Sequence, residues 1–170
     1  GEDFLLKDTG SDLDLRLARM EFLMDRRPEL ISSVMLRQNP HSVYEWHKRA
    51  KLFEGQPTRQ ILTFTEAVKT VHPEKAVGKL YTLWVSFAMF YEKHKDLGNA
   101  RVIFDKAVQV PYKSADDLAS VWCAWAEMEL KHKNFKGALD LMERATVVPR
   151  GRAADDGTVQ ARVHKSLKLW

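Results

Sequence analysis

Two basic triplets, Lys93-His94-Lys95 and Lys131-His132-Lys133, are the residues of this chain whose types most readily do chemistry. Ammonium and imidazole groups side by side can contact phosphate oxygens or an acidic partner, forming a basic ridge. They also complement the negative end of a helix, where each cation contributes about 0.3–1 kcal/mol. Each triplet holds one His and the two lie 38 residues apart, so neither has a second imidazole at i+3 or i+4 and a zinc site is not indicated. Arg150 and Arg152, either side of Gly151, could touch phosphate in the same way. Asp116-Asp117 and Asp155-Asp156 are paired carboxylates. Glycosidase-type acid–base work needs two carboxylates across a cleft; here they are placed to favour the starts of the helices that follow. The single Cys123 can form no disulfide within the chain, which fits a reducing intracellular compartment. Beside Trp122 on a helix, it reads as a small buried hydrophobe. Trp84, Phe87, Trp122 and Trp125 could stack on bases as in single-strand binders, but their helical spacing suits a core. There is no Gly-rich phosphate loop, nucleophile elbow or HExxH motif. The chemistry on offer is that of a surface, with no catalytic, cofactor or metal site.

The elements that carry these residues are written twice. Residues 80–111 and 118–149 align without a gap, and ten of the 32 pairs are identical, including Trp84/Trp122, Ala88/Ala126, Ala107/Ala145 and both Lys-His-Lys triplets. A period of this size marks stacked supersecondary units, none of which can bury its apolar face alone. In each unit a first helix, A, carries Trp and then Ala one turn later: Trp46 and Ala50, Trp84 and Ala88, Trp122 and Ala126. A second helix, B, carries Ala67, Ala107 or Ala145 where the partner helix must come close. The Trp supplies buried area and the Ala leaves room for the neighbour. Val110-Pro111 and Val148-Pro149 should stop the two later B helices, because a residue before proline avoids the helical region.

The pattern predicts an all-α chain, an α-solenoid of antiparallel helix pairs. Residues 1–11 read as a flexible lead-in. Pairs follow at about 12–38, 42–72, 78–110 and 116–148, and the start of a further repeat falls at 158–170. In the first pair Asp12 is expected to cap one helix, and Pro28 to end it and begin the next. Ser166-Leu167-Lys168-Leu169-Trp170 matches the residues leading into Trp84 and Trp122, so the chain reads as a piece of a longer protein. Hydrophobic residues make up 45% of the 170, ample for a core, and the net charge is +4. That mild excess permits nucleic-acid contact without requiring it. No apolar run is long enough to span a membrane.

Trp46, Ala50, Phe53-Glu54 and Trp84, Ala88, Tyr91-Glu92 resemble the first half of a HAT (half-a-TPR) repeat. Ala100-Arg101-Val102-Ile103-Phe104-Asp105-Lys106-Ala107 resembles its second half. The stretches Leu36 to His41, Asp116 to Cys123 and Lys165 to Trp170 are similar to the Syf-type pre-mRNA splicing factor family, over about residues 12–170. The resemblance implies a nuclear, non-enzymatic scaffold in pre-mRNA splicing. It implies protein partners in the Prp-nineteen-associated complex of the spliceosome and a link to transcription-coupled DNA repair, with no small-molecule substrate. Direct RNA binding is the alternative. Within the repeat pattern a pairing of Glu92 with Arg101 is available only in the middle unit, since the third has Leu130 and Leu139 at the corresponding positions and the first has Ile61 for the arginine.

Overall fold

The computed structural model describes residues 2–150 and 157–170, with side chains described from Gly10 onward. Its helices are α1 (Glu2–Gln38), α2 (Val43–Leu52), α3 (Pro57–Thr70), α4 (Leu80–Lys93), α5 (Leu97–Ala107), α6 (Ala115–Lys131), α7 (Phe135–Thr146) and α8 (Val159–Arg162). Two single turns of 3-10 helix follow, Val163–Lys165 and Leu167–Leu169. The A helices α2, α4 and α6 contact one another in sequence, and α3 and α5 each pack on their own A helix and on the next. This staggering makes one continuous core. Leu83, Phe104, Leu118, Val121 and Met128 are fully enclosed in it, and Ala67, Ala88, Ala107 and Ala145 have no exposed surface. Ala at those sites leaves no bulk between helix backbones, which is why the helices can pair so closely.

The A–B junctions explain why Lys-His-Lys is repeated. Lys95 and Lys133 adopt left-handed backbone, with φ of 59° and 60°. The Lys95 amide donates to Glu92 O and the Asp96 amide to Tyr91 O; the Lys133 amide donates to Leu130 O and the Asn134 amide to Glu129 O. This pattern satisfies the last carbonyls of each A helix. The same Asp96 and Asn134 then cap the B helices, accepting from the amides of Asn99 and Gly137. One residue ends one helix and starts the next. The B helices end at Ala107 and Thr146, ahead of Val110-Pro111 and Val148-Pro149. The Tyr112 hydroxyl donates to Ala107 O at 2.8 Å, closing the end of α5 from inside the core.

The N-terminal region differs from the sequence expectation. In place of a lead-in over 1–11, a cap at Asp12 and a break at Pro28, α1 runs unbroken from Glu2 to Gln38 with Pro28 inside it. Pro28 is on an exposed stretch, so water can serve the Met24 carbonyl that loses its amide partner. Asp12 pairs instead with Arg16 one turn on. Residues 12–38 are therefore one helix and not a pair. Its C-terminal end joins the array: Leu36 and Ser32 are buried, and Arg49 donates to Ser32 and Ser33. Leu13, Leu17, Met20, Phe22, Leu23 and Met24 are exposed.

Residues 158–170 pack across α6 and not as a full A helix. Gln160 donates to the Val108 and Val110 carbonyls, and Lys168 donates to Ser120. Ser166 caps the last 3-10 turn four residues before Trp170, as Ser42 caps α2 four residues before Trp46.

Candidate interaction surface

The side chains that bridge successive repeats are the ones whose geometry is most informative. Arg101 on α5 does not meet Glu92. It reaches into the next repeat and forks onto Glu129 of α6, Nε to Oε1 at 2.7 Å and Nη2 to Oε2 at 3.1 Å. Glu129 is almost wholly buried, and Asn134 Nδ2 donates to its Oε2 at 2.7 Å. The Arg101 bonds, above all, hold the Glu129 carboxyl below the usual range. Glu92 is turned the other way, onto the basic triplet of the next repeat: Lys131 Nζ and His132 Nε2 both lie on its Oε1, at 2.7 and 3.1 Å. The Lys131 hydrogen bond is the main cause that lowers the Glu92 pKa. The pairing expected inside the middle repeat is thus replaced by two pairings between repeats. Arg101 thus bridges from its own B helix to the A helix of the next repeat.

A second bridge lies alongside. Arg144 on α7 sets its guanidinium over Trp122 and Trp125, 5.1 and 5.7 Å from the ring centres, and reaches Asp105 of the preceding repeat at 3.7 Å. Beneath it, Trp125 stacks on Phe104 at 5.8 Å. One repeat earlier Phe87 stacks on Phe64 at 5.4 Å in the corresponding place. The charges do not recur there: Ile61, Thr65, Tyr91 and Lys106 occupy the positions of Arg101, Asp105, Glu129 and Arg144.

This difference matches the exposure of Trp84 and Trp122. Trp46 is buried, with Nε1 donating to Pro40 O at 2.9 Å, and Trp122 is buried beneath Arg144. Trp84, expected in the core, is only half-buried and lines a groove of about 450 Å3 between α3 and α5. Ala50, Ala88 and Ala126 are buried.

The basic residues separate into two groups. Lys131 and His132 are tied to Glu92, and His94 directs Nδ1 to Phe90 O at 2.8 Å with its ring against Phe90. Lys93, Lys95, Lys133 and Arg150 are exposed, and among the described residues none has an ion-pair partner. Arg152 and Asp155-Asp156 lie outside the described residues. Asp116 and Asp117 do stand in the first turn of α6, but Ser114 is the cap. Asp117 meets Lys79 at 3.1 Å, and Asp116 accepts from Ser166. Cys123 is half-exposed and not enclosed; it faces the Lys168 carbonyl at 3.3 Å, and burial pushes its thiol pKa up. Among the described residues no three His, Cys, Asp or Glu side chains are grouped to hold a metal ion, and no helix is long and apolar enough to cross a membrane. Sequence reasoning missed Glu129, Asn134 and Arg144. Their signal was the loss of the repeat's regular charges in the third unit.

Helix pairs stacked on one core, with charge and aromatic bridges between units and their functional groups spread along open faces, define a helical-repeat protein of the α-solenoid class. Residues 73–170 match the family described as "Pre-mRNA-splicing factor Syf1/CRNKL1 C-terminal HAT repeat", and residues 2–71 match "Pre-mRNA-splicing factor SYF1 middle HAT repeat". The chain belongs to this Syf1 family of HAT-repeat proteins. It is 57% identical over 162 residues to "Pre-mRNA-splicing factor SYF1" of Homo sapiens, covering 94% of this chain and 19% of that protein. It is 56% identical to "Pre-mRNA-splicing factor syf1 homolog" of Drosophila melanogaster over 162 residues, covering 94% of this chain and 18% of the relative. Against "Pre-mRNA-splicing factor syf1" of Aspergillus fumigatus the identity is 59% over 168 residues, 96% of this chain and 20% of the relative. The chain thus spans about a fifth of the length of these relatives.

Proposed function

We propose that this segment is a non-enzymatic scaffold of nuclear pre-mRNA splicing, holding spliceosomal proteins, those of the Prp-nineteen-associated complex among them, in fixed relative positions. A link to transcription-coupled DNA repair belongs to the same reading, through the resemblance to the Syf-type factors. The observation that carries the scaffold reading is the Arg101–Glu129 fork across a repeat boundary. A buried carboxylate held by two bonds from the neighbouring unit favours one angle between repeats, and a fixed angle is what a spacer between partners needs. Relatives named as splicing factors support the process.

Lys93, Lys95 and Lys133, exposed and without an ion-pair partner among the described residues, favour direct RNA contact as a second reading. Against it, Lys131 and His132 are already engaged by Glu92, which shortens the basic ridge. The structural array and the nucleic-acid reading separate in one experiment on the full-length protein. Arg101→Glu should reduce its co-purification with splicing proteins and slow splicing in extract, and Arg101→Glu with Glu129→Arg should restore both. Unchanged assembly in the single variant would count against the scaffold reading. RNA affinity that is measurable at low salt and falls steeply with added salt would favour the alternative.

A further inference from the structure

We propose that the groove between α3 and α5 is a docking site for an acidic, helix-forming segment of a partner protein. The proposal rests on the scaffold reading and assigns it a surface. The groove encloses about 450 Å3 over α4, with Trp84, Phe87 and Tyr91 lining it and Lys69 and Lys106 on its two walls. That volume falls in the range of a formed binding cleft and admits a few large apolar side chains.

The protein contains its own comparison. Between the second and third repeats, Arg144 lies over Trp122 and Trp125 within 3.7 Å of Asp105, and both tryptophans are buried. Between the first and second repeats, Thr65 replaces the aspartate and Lys106 replaces the arginine. Lysine lacks the planar fork that lies flat on an indole, and without a carboxylate opposite nothing draws it across the groove. Trp84 is half-exposed there. Among the described residues neither Lys69 nor Lys106 has an ion-pair partner, and both are exposed.

Two ammonium groups on opposite walls of an apolar groove, without ion-pair partners among the described residues, are complementary to a helix with an apolar stripe flanked by Glu or Asp. This is helix-in-groove recognition with charges on the rim. A nucleic-acid strand fits less well. It would need a longer run of cations, and Trp84 lies in the floor and does not stand out as a stacking platform.

The test places a photo-cross-linking amino acid at Val102, an exposed residue of the groove wall, in the full-length protein within its purified complex. The adduct should map to a helix-forming protein segment of net negative charge. Lys69→Glu with Lys106→Glu should lower its yield about fivefold or more, the scale of two lost rim charges. Thr65→Asp with Lys106→Arg, which copies the Asp105 and Arg144 arrangement of the next repeat, should lower it as well. Both double variants change exposed or half-exposed groups, and circular dichroism melts checks that the array is intact. An adduct on RNA, an adduct on a neutral or basic segment, a yield indifferent to both variants, or no adduct would each overturn the proposal. If the complex still assembles in those cases, the groove assignment falls and the scaffold reading stands.

Discussion

The guanidinium of Arg101 lies across a repeat boundary on the carboxylate of Glu129, closing a two-bond fork at 2.7 and 3.1 Å. Arg101 is substantially exposed, while the Glu129 side chain keeps 3% of its surface. The two ends therefore bear unequal risk. Removing the arginine strands a buried carboxylate; removing the carboxylate leaves an arginine that can turn to water.

Arg101→Ala should accordingly destabilise the chain by about 2–3 kcal/mol, the cost of losing hydrogen bonds to a buried charge. Arg101→Ile with Glu129→Tyr, which installs the Ile61 and Tyr91 of the preceding interface, should lie within about 1 kcal/mol of the parent because no charge is left buried. Urea denaturation of the three chains measures this. A double variant less stable than Arg101→Ala would show that the two interfaces are not interchangeable.

The B-helix caps should respond differently to the same exchange. Asn134 donates through Nδ2 to Glu129, whereas Asp96 sits behind Tyr91 and faces no carboxylate there. Asn134→Asp exchanges a donor for a second negative charge and should cost about 2 kcal/mol. Asp96→Asn should be the milder change, since the two residues cap comparably and the contact it loses, from the Asn99 side-chain amide, is an exposed one. Equal melting temperatures for the two variants would refute the asymmetry.

Acid should loosen the repeat boundaries. The folded pKa of Glu129 is lowered from the usual 4.5, chiefly by Arg101, and that of Glu92 is lowered from the same value, chiefly by Lys131. Groups with a folded pKa below the unfolded one stabilise the fold fully above the unfolded value and lose that contribution as pH falls through the folded one. Melting temperature should therefore decline as pH drops below about 4.5, and Glu129→Gln should flatten the decline. A steeper decline in that variant would contradict the assignment.

Lys133 holds left-handed backbone at φ 60° with a Cβ that disfavours it. Lys133→Gly should raise stability by about 0.5–1 kcal/mol, the relief of that strain less the greater freedom glycine has when unfolded. Chemical denaturation reads the gain directly. A loss would mean that the lysine side chain makes a contact outweighing the strain.

Much of the array was legible because the packing positions follow one short rule. Trp and then Ala a turn later, with Ala again in the second helix, names the close contacts without knowledge of the third dimension. Lys-His-Lys likewise marks a helix end. What could not be read was anything that depends on the offset between neighbouring repeats. Arg101 and Glu92 look paired along the chain, but the stagger delivers Arg101 to Glu129. Trp84 and Trp122 occupy the same repeat position and differ in exposure, in step with Lys106 against Arg144 and Thr65 against Asp105. For α1, Pro28 looked like an ending because its missing amide was weighed without the solvent around it.

The shared junction residues Asp96 and Asn134 bear on how such an array can lengthen. Each serves as the last link of one helix and the first of the next, so an insertion there would break two caps at once. The connections from a B helix to the next A helix carry no such double duty, and they already differ, spanning 71–79 in one case and 108–114 in another. The first A–B junction shows the converse: Gln56 makes no side-chain cap bond, and that connection spans 53–56 where the other two span 94–96 and 132–134. Length is thus held where one residue serves both helices and is free to change where none does.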